Sequence, residues 1–449
     1  MGKRQIQSKM LTSTAKIKSQ IPKKTNTKMT EDFLHYLWRF QIWNAPLQTT
    51  NGDSVEVLKS GFHNTNGGPD FLDARIRIGN TLWAGHVEIH TKASDWFAHH
   101  HQRDPAYNSV ILHVVYDNDA SAKRAIGTTI PTCSIRENFS KHVYQTFSKW
   151  RNNQGFVPCQ QQLQNLSEHK RIILLERLNI ERLEEKVNEI LVDLAYNLNS
   201  WEETFYQHLL RGFGLHINTE AFHQIAKRTP LKFLQKHADN RLQLEAILFG
   251  QAQLLNSSFK DSYPRTLQEE YAFLQQKFRL LPISEGLVNF LRLRPCSFPT
   301  LRLAFFASLI QRRSQIFQDV LQIQNIDDGL KLLQVDASDY WQTHYVFDKL
   351  SVEKRKEFGL STQHLIFINI FIPFLFAFGK LRDRPNICER ALGFLQDLPA
   401  ENNHLIRQWK ACGVSANNAS DSQALLILKK SFCDLKRCLH CGIGTELLK

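Results

Sequence analysis

Asp70, Glu88, His90 and Lys92 bring two carboxylates, an imidazole and an amine into one short stretch of chain. The run Thr81–Lys92 alternates as a strand does, which places Trp83, Val87 and Ile89 on one face and His86, Glu88, His90 and Lys92 on the other. Asp70 follows Gly67-Gly68-Pro69, the residues of a tight turn, and so emerges at the mouth of the preceding strand. Two carboxylates on neighbouring strands can share a hard divalent ion, Mg²⁺ or Mn²⁺, with a backbone carbonyl between Glu88 and His90 as a third ligand. Such an ion lowers the pKa of bound water and neutralises charge on a phosphoryl group. His90 and Lys92, on the same face, are placed to position the water or stabilise developing charge. The plainer alternative for these four residues is a solvated polar face.

Those side chains need a hairpin with a helix beside it. Residues 30–43 predict a first helix with Thr30 as N-cap and Phe33, Leu34, Leu37, Trp38 and Phe40 as its apolar stripe. Strand-like runs follow at Val55–Lys59, Phe71–Ile78, Leu82–Thr91 and Ser109–Tyr116, with Gly79-Asn80 as a hairpin turn. A short helix or loop begins at Ser94-Asp95-Trp96, and Thr128–Ile135 predicts an edge strand. The expected fold is a mixed α/β domain over 29–150, then a large all-α region over 160–449 opening with an N-cap at Ser167. A polar, linker-like boundary at 150–166 separates the two.

Pro69-Asp70, then Glu88-Ile89-His90 on the next strand, resembles the signature of the PD-(D/E)XK nuclease superfamily. The order helix, three strands, helix, strand is similar to its core. The resemblance, over about residues 30–120, implies a restriction-endonuclease-like core in which Asp70 and Glu88 hold Mg²⁺ or Mn²⁺ and phosphodiester bonds of DNA or RNA are hydrolysed. The third motif position departs from the pattern, since His90 stands where the superfamily has lysine; Lys92 points the same way two residues on. That departure leaves open a non-catalytic nucleic-acid-binding or scaffolding protein. At whole-chain level the sequence resembles an uncharacterised bacterial family known as a domain of unknown function. The residues behind this are GPDF at 68–71, VEIH at 87–90, SDW at 94–96, DPAYNSVILHVVY at 104–116, FPTLR at 298–302 and KRCLHCGIG at 436–444.

Three further groups carry chemistry. Seven of the 18 histidines fall within 61–117, and His99, His100 and His101, with Asp95, Asp104 and His113, offer a zinc or manganese site for another class of metal-dependent hydrolase. Three consecutive histidines cannot all face one ion, and Asp95 and Asp104 serve equally as turn caps. Cys433, Cys438 and Cys441 have the spacing of a zinc or iron–sulfur site, with His440, Cys412 or Cys388 as candidate fourth ligands; free thiols are the alternative. Arg292, Arg294 and Arg302, among aromatics, suit phosphate contacts and base stacking, or internal pairing with glutamates.

The 449 residues carry a formal charge of +13. Residues 1–28 hold eight basic residues and no acid, a basic leader expected to be disordered or a miscalled start. The longest apolar run, Leu365–Phe378, is expected to be a buried helix broken or kinked at Pro373, too short to span a bilayer. No membrane association and a cytoplasmic location are the expectation, with nucleic acid as the partner.

Overall fold

In the computed structural model, which describes residues 29–449, the chain forms two compact units. One takes the chain up to Asn152 with Leu448–Lys449; the other is Asn153–Leu447. The basic leader expected over 1–28 lies outside the described residues.

The first unit opens with α1 (Glu31–Arg39). Glu31 and Asp32 sit in its first turn, where acids favour the positive helix end. Thr30 makes no side-chain cap, contrary to expectation; its carbonyl accepts the Phe33 and Leu34 amides at 3.1 and 3.3 Å. The helix also stops short of residue 43, because Gln41 turns left-handed at φ +51°. Phe33, Leu34, Leu37 and Trp38 are buried as the apolar stripe requires.

The sheet contains β1 (Leu47–Gln48), β2 (Ser54–Lys59), β3 (Phe62–His63), β4 (Phe71–Ile78), β5 (Thr81–Lys92), β6 (Val110–Asp117) and β7 (Thr132–Ser134). The spatial order is β1-β2-β4-β5-β6-β7, with β3 beside β4. Pairing is antiparallel as far as β5, then parallel from β5 to β6 and from β6 to β7. A parallel pair needs a crossover, and residues 93–109 supply it with α2 (Asp95–Ala98). Thr49 bridges Cys133, and the Thr50 amide donates to the Thr132 carbonyl at 2.8 Å, so the two ends of the sheet meet. The strand predicted at 128–135 is therefore not a bare edge, which also protects it from stray pairing.

Two irregularities shape the middle of this sheet. The β4–β5 register shifts between Phe71 and Ala74, where Asp73 takes φ +55°. The β5–β6 register shifts at His86 and Val87, next to Gly85, where an added Cβ would lie 2.4 Å from the Ile111 side chain and 2.5 Å from the Ser109 carbonyl. Bulges of this kind re-aim side chains. Both faces of β5 are covered here: Val87, Glu88, Ile89 and His90 are all buried, with α1 and α2 both packed on β5, while Glu88 and His90 still share a face. α3 (Lys141–Asn152) closes the unit, Phe147 stacking on Phe33 at 5.4 Å.

In the second unit, α4 (Glu168–Tyr196) begins at Ser167, whose side chain accepts the Lys170 amide at 3.4 Å. Helices then dominate, but one hairpin, His344–Val346 with Lys349–Leu350, interrupts the expected all-α pattern through a left-handed Asp348. The segment read as a linker is instead folded, with Val157, Cys159, Leu163 and Leu166 buried. The apolar run sits in one helix, Leu360–Leu381, long and apolar enough to cross a membrane but 67% buried inside the protein. It is not broken at Pro373. A π turn over Phe367–Phe371 precedes the proline, and Phe367, Phe371, Phe374 and Leu375 join the core.

Candidate metal centre

Asp70 reaches the sheet through a loop that Asn64 organises. The Asn64 side chain donates to the carbonyls of Gly67 and Pro69 at 3.2 and 3.0 Å, and its amide donates to the Asp70 carbonyl at 2.7 Å. Gly68, at φ +99°, supplies the turn that a side chain would oppose. The two acids are then clasped reciprocally. The Asp70 amide donates to Glu88 Oε2 at 3.1 Å, and the Ile89 amide donates to Asp70 Oδ2 at 2.9 Å.

Imidazoles surround this pair. His101 Nε2 lies 3.1 Å and His90 Nε2 3.5 Å from Glu88 Oε1, while His35 Nε2 lies 3.2 Å from Asp70 Oδ2. His90 Nε2 is 3.1 Å from His99 Nδ1, and its other nitrogen is 2.9 Å from His113 Nε2. Donor atoms of His90, His99 and His101 all lie within 4.8 Å of one another. His99 and His101 converge because the residue between them, His100, is left-handed at φ +62° and turns outward. The ring of Tyr107 stacks on His101 at 3.8 Å, and Trp96 meets His101 edge-on and His113 at a tilt, giving the site an aromatic wall.

The electrostatics follow from burial. Glu88 is 4% exposed, and desolvation, then the charge of Asp70, pushes its pKa up to about 9. Burial and the neighbouring histidines hold His90 down to about 2; burial, then His101, brings His113 to about 4. These rings are neutral and can offer lone pairs. His35 goes the other way: burial opposes its charge, but the bond to Asp70 and the nearby acids Glu31 and Asp32 raise its pKa. Glu31 is itself raised, by burial and then by Asp70.

This donor set fits a divalent ion. The Nε2 atoms of His35 and His101 are buried without an aligned hydrogen bond, although each lies near a carboxylate. A buried acid that must keep its proton is also a place where a cation substitutes for that proton. Glu88, His90, His99 and His101 could bind the ion directly, and His113 would orient the His90 ring from behind.

Of the residues singled out in the sequence, Asp70, Glu88 and His90 come together, and His99 and His101 join them. Lys92 does not: it is exposed, its amide donates to Asp95 at 3.0 Å, and its charge lies near Asp119. Asp95 accepts from Thr91 and Lys92, and Asp104 caps Ala106, so both are turn acids. Glu31 and His35 escaped the sequence reading; their signal was an acid and a histidine four apart on the flank of an apolar helix. In the second unit, Arg292 and Arg294 are exposed, but Arg302 is 5% exposed with its guanidinium 5.2 Å above Phe358. Arg302 therefore lies in the interior rather than on a nucleic-acid surface, because α-helical residues 299–310 are all buried.

No curated protein and no solved structure matches the chain. The model of a protein family described as "Protein of unknown function (DUF2851)" matches residues 31–404. That span takes in both the carboxylate–imidazole cluster and most of the helical unit, and the chain belongs to this family.

Proposed function

We propose that the first unit is a metal-dependent hydrolase acting on phosphodiester bonds of nucleic acid. The observation that carries this reading is the convergence of Asp70 and Glu88 with His90, His99 and His101 on one buried corner of the sheet. The element order, ending in a strand parallel to β5, supports the resemblance to a nuclease core. When bound, the ion would supply an acidified water and polarise a phosphoryl oxygen. Glu88, His90, His99 and His101 would hold it; this nitrogen-rich set suits Mn²⁺ or Zn²⁺ better than Mg²⁺. Asp70 and Glu31 favour the charged form of His35 against its burial at the same corner, and a protonated His35 would supply the positive charge that a motif lysine would bring. Asp70 also fixes the end of the loop over the site through the Ile89 amide.

The placement of Lys92 favours a second reading, a nucleic-acid-binding or scaffolding protein that keeps the site without turnover. Cleavage of labelled single- and double-stranded DNA and RNA separates the two, run with Mn²⁺, Zn²⁺, Mg²⁺ and chelator. Wild type should cut with Mn²⁺ or Zn²⁺, and Asp70→Ala and His99→Ala should lose at least about 100-fold, the scale on which removing a catalytic group acts. A folded, metal-loaded wild type that cuts nothing moves the scaffold reading ahead.

A further inference from the structure

Sequence spacing offers three thiols near the C-terminus, and the fold of the second unit brings a fourth from its other end. Cys159 sits in the segment formerly read as a linker. The Asn153 side chain donates to the carbonyls of Val157 and Pro158 at 3.4 and 2.8 Å, and Phe156 packs edge-on against Trp409 at 5.4 Å. Lys429, one turn before Cys433, lies 4.9 Å over the Phe156 ring. These contacts carry Cys159 to the C-terminal cysteines, where Cys441 and Cys438 are its neighbours; Cys433 in turn neighbours Cys441, Cys159 and Cys438.

The C-terminal loop is shaped as a thiolate knuckle. Cys438–His440 form a single 3-10 turn, and the Cys441 amide donates to the Cys438 carbonyl at 3.3 Å. The next residues wrap closely: an added Cβ at Gly444 would lie 2.2 Å from the Cys438 carbonyl, and one at Gly442 2.6 Å from the Leu174 side chain. Burial pushes the Cys441 thiol's pKa up, and hydrogen bonds from the amides of Gly444 and Ile443 act against that. Cys159, Cys438 and Cys441 are buried, Cys433 is half-buried, and none of the four is in a disulfide. Burial alone leaves thiols protonated and inert, whereas four gathered at one place make a complete soft-metal ligand set.

We propose that Cys159, Cys433, Cys438 and Cys441 form a four-thiolate metal centre that ties residues 153–165 to the C-terminal turn. This goes beyond the phosphodiesterase reading and does not depend on it. The fourth ligand is Cys159: His440 is exposed, Cys388 donates to the Phe376 carbonyl, and Cys159, rather than Cys412, is beside Cys433 together with Cys438 and Cys441. A lone zinc, with Zn–S about 2.3 Å, draws four sulfurs to about 3.8 Å from one another. Among the described residues, the group whose donor atoms all lie within 4.8 Å is the imidazole set, and the thiols do not form one. Their wider spacing favours an iron–sulfur cluster, which places several atoms between its cysteines.

The test is metal and sulfide analysis of full-length protein purified without oxygen or chelator, with its visible absorption spectrum. Iron and sulfide in matched amounts, with absorption near 400 nm, are expected. Stoichiometric zinc would keep the four-thiolate centre and overturn the cluster. Cys159→Ser and Cys441→Ser should lose most of the metal, whereas Cys412→Ser and the exposed Cys296→Ser should keep it. Native alkylation followed by mass spectrometry covers the case in which a serine variant fails to fold. In wild type these four thiols should be protected together and released together when the metal is stripped. A wild type with neither metal, or Cys159→Ser with full metal content, overturns the proposal.

Discussion

Glu88 decides how the centre behaves with pH. In the folded protein its pKa rises from 4.5 to about 9 because burial and Asp70 disfavour its charge. Between those two values the folded state keeps a proton that the unfolded chain has released, so metal-free stability falls as pH rises. The expected loss is on the order of 1 kcal/mol for each pH unit crossed, read by urea denaturation in chelator from pH 7 to 9, above the range in which the lowered His90 and His113 add stability with rising pH. Glu88→Gln should flatten that slope, since the amide never ionises; an unchanged slope would place its origin elsewhere. Asp70, Glu88 and His90 were legible because strand period and a Gly-Gly-Pro turn set their positions. The pairing of His99 with His101 was not, since it hangs on the single left-handed residue His100, and no sequence period encodes that.

At the scale of elements, the four longer strands of the first unit were read to within a residue at each end, but the strand expected over 128–135 is only Thr132–Ser134, and β1, β3 and the His344–Leu350 hairpin were not foreseen. The polar face at 87–90 is buried rather than solvated, because helices pack on β5. Gly85 shows how tight this region is. Gly85→Ala sets a methyl against Ile111 and the Ser109 carbonyl, and overpacking of this kind typically destabilises by about 1–3 kcal/mol. The same change should weaken metal binding, because β5 carries Glu88 and His90 just beyond it. Calorimetric titration with Mn²⁺ beside thermal unfolding checks both; a variant as stable and as tight-binding as wild type would show that β6 yields easily. Helix ends were read less well. Thr30 looks like a cap in sequence, yet its hydroxyl is buried without a partner. The helix Leu360–Leu381 absorbs Pro373 through a π turn that a proline rule does not foresee.

Across the whole molecule, the division into an α/β unit and a mostly helical unit was legible from the change of periodicity near Ser167. The convergence of Cys159 with cysteines at the far end of the chain was not, because spacing reveals only neighbours in sequence. The mixed sheet has one more consequence, for the order in which the first unit forms. The β4–β5 hairpin closes over a two-residue turn and already carries Glu88 and His90 beside Asp70. His99 and His101 arrive with the crossover, whose pairing must wait for a longer loop to close. The full ligand set therefore exists only after the slow step. Mn²⁺ is expected to slow unfolding several-fold while leaving the folding rate nearly unchanged, as stopped-flow chevrons with and without the ion would show. A folding rate that climbs with metal would mean that the crossover is captured early. In the expected case the ion acts as a latch on a finished structure rather than a seed for it, and resistance to unfolding, rather than speed of assembly, is what the histidines confer.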